Sequence, residues 1–148
     1  MKETYLHGNK RVEKNHPRIV FRGRLDSLQA DILEAQVFIS GERDFYKEAL
    51  QEILDFTRDL LAADVNEKPF SRGSLFGLGL EELHKQASSC TLPNYTMGEL
   101  PIRLNTLRTR VREIELLAVG AVQNRDDILY ALNRLSSAVY WLFCQSLL

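Results

Sequence analysis

The sequence predicts an all-α fold, an antiparallel bundle of four to five helices, and three observations lead there. Apolar residues recur at steps of three and four in several separate segments. Stretches rich in Pro, Gly, Asn and Ser divide those segments. Alternation at a period of two never persists for more than a few residues, apart from one octet considered below. With 148 residues, 45% of them apolar, the chain suits one domain (1–148) with a substantial core.

Pro17 can sit in the first turn of a helix, where its missing N–H costs nothing. Leu25, Leu28, Ile32, Ala35 and Phe38 then form one stripe. "SGER", 40–43, breaks the pattern, and Ser40 is placed to cap the next helix. That helix carries Phe45, Ala49, Ile53, Phe56 and Leu60. From Asp64 to Gly79 the composition is that of a long loop. Within it "GSLFGLGL", 73–80, lacks the Lys-Ser/Thr ending of a phosphate-binding loop and reads as a flexible connection. A shorter helix is expected over Leu80 to Ala87, and "CTLPNYTMGELP", 90–101, is expected to be irregular. Beyond Pro101 come two stripes: Leu104, Leu107, Val111, Ile114 and Ala118, then Ile128, Leu132, Leu135, Val139 and Leu142.

The octet is "RTRVREIE", 108–115, with arginines at alternate positions. Leu107, Val111 and Ile114 make it helical, so Arg108 and Arg112 share a face and Arg110 points away. Asn105, Arg108, Arg112 and Glu115 then form a polar stripe about 100° from the apolar one. An exposed Arg–Arg pair at this spacing costs only about 0.2–0.5 kcal/mol, so a solvated basic face is one reading. If the stripe is partly buried, it needs anionic partners, a carboxylate or the phosphates of a ligand. In the last helix Arg134 can snorkel, whereas the Asn133 amide between Leu132 and Leu135 wants a partner. Arg22 and Asp26 stand at i, i+4 and suit a local ion pair.

Several classes are disfavoured. A net charge of −1 argues against a general nucleic-acid or membrane-surface binder. The first residues, "MKETYLHGNKRVEKNHP", contain no apolar run of a secretory signal, and Asn133 and Arg134 interrupt the apolar C-terminal segment. Cys90 and Cys144 fit a reducing cytosol, as buried or idle thiols. No metal site is expected: His84 and Cys90 have no further ligands nearby. Three scattered histidines give no Ser-His-Asp or Cys-His arrangement. Tyr140 and Trp141 read as core or interface aromatics.

Three segments, in order, resemble the ATP:cob(I)alamin adenosyltransferases. "KNHPRIVFRGRLDSLQA", 14–30, carries Lys14, Arg18, Gly23 and Asp26 at the spacings of the propanediol-utilisation type. "LRTRVREIE", 107–115, is similar to the family's arginine–glutamate helix, and "ALNRLSS", 131–137, to its Asn-Arg-Leu-Ser stretch. "EELHKQAS" and "DILYALNRLSSAVY" read like the ethanolamine-utilisation branch.

The resemblance implies a five-helix bundle assembled as a cytoplasmic homotrimer, associated with a bacterial microcompartment, with active sites between subunits. Residues 1–16 would be a nucleotide-site segment and 17–148 the helical bundle. The implied reaction transfers the 5′-deoxyadenosyl group of ATP, with Mg²⁺, to cob(I)alamin, forming adenosylcobalamin for ethanolamine utilisation. By the same resemblance Arg112 pairs with Asp26 and contacts ATP, Arg108 is a sensitive arginine one turn earlier, and Thr4, Lys14, Glu115 and Asn133 belong to the nucleotide site. Leu116 stands at the nucleotide-site position where the family has a further arginine, which implies one phosphate contact fewer. An apolar wall under the corrin would fall to Leu92, Tyr95 and Met97. The branch's upstream metal motif, a His with Cys-Cys-x-x-Cys, is not within these 148 residues. A non-catalytic trimeric corrinoid-binding or assembly domain is the alternative, and a helical interaction module docking through its apolar stripes is a third reading.

Overall fold

The computed structural model describes residues 1–39, 41 and 43–148. Its helices lie where the apolar stripes lie: α1 Pro17–Phe38, α2 Asp44–Val65, α3 Leu80–Gln86, α4 Glu99–Ala121 and α5 Asp126–Gln145. Each stripe is one face of a 3.6-residue period, and the faces meet in a single core. α1 packs on α2 and α4, α4 packs on α5, and α3 lies on α5. Polar pairs fix the directions. Arg24–Glu113 and Asp31–Arg110 set α1 antiparallel to α4, and Gln36–Lys47 with Arg22–Asp64 do the same for α1 and α2.

Every apolar position expected in α4 and α5 is buried. Two aromatics expected in the core are not: Phe38 is 55% exposed and Phe45 51%. They lie where α1 ends and α2 begins, on the exposed side of those helix ends. Phe38 instead lies under the Arg103 guanidinium at 5.1 Å, and Phe45 meets the Tyr46 ring edge-on. Phe21 in α1 and Ile39 just past its end fill the core. The cap expected from Ser40 lies outside the described residues.

The connections hold more structure than their composition indicates. β1 Glu3–His7 pairs antiparallel with β2 Lys10–Glu13 through a turn at Gly8, whose φ of +56° suits glycine. Asp64 belongs to α2 rather than to a loop. The expected flexible segment after it contains a small ordered hairpin, β3 Ser74–Leu75 with β4 Leu78–Gly79, and Leu75 is buried. α3 stops one residue earlier than expected. α4 begins at Glu99, with Pro101 in its first turn, where a missing N–H breaks no helical bond.

The cysteines overturn an expectation. Cys90, in the segment after α3, and Cys144, on α5, are joined in a disulfide with their Cα atoms 6.1 Å apart. Docking α3 on α5 brings together two residues separated by 54 positions. Spacing along the chain carried no hint of it.

At one end of the bundle the Asp64 carboxylate is fully buried. It accepts from Arg18 Nε at 3.0 Å and Arg22 Nε at 2.6 Å, and its carbonyl accepts from Arg18 Nη2. Arg22 therefore does not make the expected local pair with Asp26.

Asp64→Ala leaves two crowded guanidiniums without their anion and should cost about 3–5 kcal/mol in urea unfolding. Removing the exposed carboxylate of the Asp59–Arg72 pair should cost under about 1 kcal/mol. Reducing the disulfide releases a long loop in the unfolded chain. Thermal melts with and without thiol should differ by about 2–4 kcal/mol of stability.

Candidate nucleotide site between helices α4 and α5

The polar stripe of α4 turns toward α5 and toward the segment that follows α3. Arg108 donates to Asn105 Oδ1 from Nε at 3.1 Å and from Nη2 at 2.9 Å, and its guanidinium faces the Tyr140 ring at 5.7 Å. This bond to a neutral amide leaves the charge unneutralised. Arg112 is exposed and makes no hydrogen bond or ion pair among the described residues. Both arginines line a cavity of about 390 Å³ with Ser136, Ser137 and Tyr140 from α5, and Cys90 and Leu92 from the connecting segment. The Tyr140 hydroxyl accepts from the Cys90 N–H at 3.1 Å, and the disulfide ties the same segment to α5.

One turn along, Glu115 and Asn133 meet: Asn133 Nδ2 donates to Glu115 Oε1 at 3.4 Å. Arg134 does not simply snorkel. Its Nε donates to Glu81 Oε1 at 2.7 Å, and its Nη1 donates to Asn133 Oδ1 at 2.5 Å. Tyr130 donates to the same Glu81 oxygen. The Arg134 and Tyr130 hydrogen bonds hold the Glu81 carboxyl below its usual range.

Four candidates thus gather on α4 and α5: Arg108, Arg112, Glu115 and Asn133. Leu116 lies beside them, 64% exposed. The other three stand apart within one chain. Thr4 sits opposite Val12 in the hairpin, and Lys14 is exposed just beyond β2, its N–H bonded to the Lys2 carbonyl. Asp26 lies on the outer face of α1, exposed and without a partner among the described residues. Among the residues considered for an apolar wall, Leu92 lines the cavity and is 84% exposed, Tyr95 is 88% exposed, and Met97 packs on the core.

Sequence reasoning missed Tyr140 and Glu81 as parts of this cluster. Tyr140 was legible only as an aromatic on an apolar stripe. Glu81 is one of two adjacent acids on a short helix, and nothing local says which one faces α5.

A second cavity, about 480 Å³, opens at the Asp64 end between Arg18, Lys68, Gln123, Asn124 and Arg125. Its cations are largely spent within the chain. Arg125 holds Asp127 at 3.0 Å and donates to the Ala63 and Lys68 carbonyls, while Arg18 serves Asp64 and Glu67.

A helical bundle of this kind, with unneutralised arginines facing a cleft, belongs to a known class of fold. A variant of a PduO-type ATP:corrinoid adenosyltransferase from Lactobacillus reuteri, complexed with ATP, superposes with a TM-score of 0.74 over 97% of this chain and 88% of its own, at 20% identity. A second variant, complexed with cobalamin and ATP, gives 0.72 over 97% and 87%, at 21% identity. These likenesses define the fold. The profile of the cobalamin adenosyltransferase family matches residues 2–146, and the chain belongs to that family. It is 34% identical to the corrinoid adenosyltransferase EutT of Salmonella typhimurium and 32% identical to that of Escherichia coli K12, in each case over 93% of its length. It spans 55% of the length of those relatives.

Arg125, hydrogen-bonded to Asp127, holds that carboxyl at about 2 rather than 3.8, despite partial burial. A depressed carboxylate stabilises the fold fully above its unfolded value and loses that share as the pH falls toward the folded one. Acid titration of stability should therefore show a component lost between about pH 4 and pH 2 that Asp127→Asn removes.

Proposed function

We propose that this chain carries the adenosyl-transfer site of a corrinoid adenosyltransferase, moving the 5′-deoxyadenosyl group of ATP to cob(I)alamin. The reading is carried by one observation. Arg108 and Arg112 stand with unneutralised charge on one face of α4, lining a cavity, within a turn of a Glu115–Asn133 pair. Family membership across residues 2–146 supports it.

The chemistry suits such a site. The Co(I) electron pair attacks C5′ of ATP, the C5′–O5′ bond breaks, and its electrons leave on the polyphosphate. No side-chain nucleophile or general base is required. What the protein must supply is positive charge where the leaving phosphates gain negative charge, and alignment of the two substrates. Arg112, unpartnered among the described residues, and Arg108, held among them by an amide and a ring, can turn to phosphate without breaking an ion pair. Asn133 and Glu115 offer a donor and an acceptor to the nucleoside. Leu92, beside the cavity, together with Tyr95 would provide the apolar wall under the corrin. Among the described residues no group of three acids, histidines or cysteines could hold a metal. Mg²⁺ is therefore assigned to the ATP phosphates, which it ordinarily accompanies with one or two carboxylates at most.

We further propose that the site is completed in a homotrimer, with Asp26, Thr4 and Lys14 reaching it from a neighbouring copy. Among the described residues Asp26 and Arg112 are both exposed and unpartnered, each beside apolar surface. Ala30, Leu33 and Val37 continue the Asp26 face of α1, and Leu116 and Val119 continue the Arg112 face of α4. Gly23, one turn before Asp26, adds to this. Glycine in a helix interior costs about 1 kcal/mol relative to alanine. A Cβ there would meet nothing among the described residues of its own chain, which leaves that face open to the approach of a neighbouring copy. Among the described residues no helix is long and apolar enough to cross a membrane, in keeping with a proposed cytoplasmic place, associated with a microcompartment for ethanolamine utilisation. The alternative is a trimeric corrinoid-binding or assembly unit with little turnover.

Anaerobic mixing with ATP, Mg²⁺ and chemically reduced cob(I)alamin should give the adenosylcobalamin spectrum. Arg112→Ala should lower the rate by about 10²–10³-fold. Asp26→Ala should also impair it, and co-refolding the two variants should restore part of the activity, because some interfaces then carry both native residues. A chain that binds corrinoid as a trimer without product would support the assembly role. Monomers, or no rescue in mixed trimers, would refute the shared site.

A further inference from the structure

Asn133 presents a problem of orientation. The two ends of its amide are nearly isosteric, so packing does not choose which one faces α4; the hydrogen-bond partners do. Oδ1 accepts from Arg134 Nη1 at 2.5 Å, which turns Nδ2 toward Glu115 Oε1. Arg134 is itself tightly held. Nε donates to Glu81 Oε1 at 2.7 Å, the guanidinium lies over the Tyr130 ring at 4.8 Å, and the side chain is 18% exposed. Hydrogen bonding to Glu81 raises the Arg134 pKa further.

A relay therefore runs from α3 to α4: Glu81, Arg134, Asn133, Glu115. Arg134 is not among the residues lining the neighbouring cavity, and its Nε and Nη1 are committed inside the relay. An arginine is required because one planar fork must serve a carboxylate and an amide oxygen together, which a lysine ammonium does not reproduce.

We infer that Arg134 is a positioning residue, anchored by Glu81, that fixes the Asn133 amide so that its Nδ2 faces the nucleotide site on α4. The inference rests on the nucleotide reading of that site. Arg134 acts through Asn133 and does not itself touch substrate. Were its role only to pack α3 on α5, a side chain of similar length would replace it without consequence for ligand binding.

A double-mutant cycle on the full chain tests this. Arg134→Met keeps the apolar stem and removes the fork, and calorimetry with Mg²⁺ and ATP reads the affinity. Arg134→Met should weaken ATP about tenfold, while in the Asn133→Ala background it should add little. Arg134→Lys should not restore the loss, and Glu81→Gln, which leaves the arginine in place, should reproduce part of it. Equal losses in both backgrounds, or none, would overturn the inference. Side-chain amide NMR of the ligand-free chain supplies a second reading. The Asn133 Nδ2 protons should be displaced from free-amide positions in the unaltered protein and return toward them in Arg134→Met. An unchanged signal would also overturn it. Because this signal needs no nucleotide, failure of the unaltered chain to bind ATP would sink the nucleotide reading alone, leaving the relay to be decided by the amide resonances.

Discussion

The buried carboxylate of Asp64 is the constraint on which the architecture turns. An ion removed from water costs several kcal/mol unless it is paired and hydrogen-bonded. Here α1 meets that cost with two guanidiniums, Arg18 and Arg22, at its N-terminal end. The pairing ties the start of α1 to the end of α2. The hairpin is fastened at the same place, where His7 Nδ1 lies 3.0 Å from the Val65 carbonyl. It also commits Arg22 inward. Asp26, which a local reading would have neutralised with Arg22, is left on the outer face of α1 without a partner among the described residues. A structural ion pair thus creates the unpaired charge that the proposed shared site uses.

Helix α5 is the element through which the rest is aligned. Its apolar stripe enters the core, while its flanks serve two neighbours. Asn133 and Tyr140 face α4, and Arg134, Ser137 and Trp141 meet α3 through Glu81, His84 and Gln86. α3 has seven residues, too few to persist alone. Its helicity depends on these anchors, on the buried Leu80 and Leu83, and on the disulfide beyond it. The same contacts hold the segment bearing Leu92 beside the arginine face. Support for the smallest helix and shaping of the candidate site are therefore one set of interactions.

Charge at that site is asymmetric. Among the described residues Arg108 meets nothing stronger than an amide and an aromatic face and Arg112 meets no anion, whereas Arg18, Arg22, Arg125 and Arg134 are committed to carboxylates. Leu116, largely exposed beside Arg112, makes the surface there apolar.

Much of this was legible before any coordinates. The stripes of α4 and α5 are long and strictly periodic, and helical geometry then puts Asn105, Arg108, Arg112 and Glu115 on one face by arithmetic alone. The order of the three family segments carried the family assignment. What the chain could not disclose depends on which residues distant in sequence become neighbours. Asp64 read as loop because its surroundings are polar, and its burial follows only from two arginines 42 and 46 positions away. The terminal hairpin is short and half-exposed, so its alternation is weak. The disulfide, the turning of Arg134 to Glu81, and the exposure of Phe38 and Phe45 all depend on where helix ends fall relative to their partners. Local periodicity determines which face a residue occupies, but only the packing of the helices decides what that face meets.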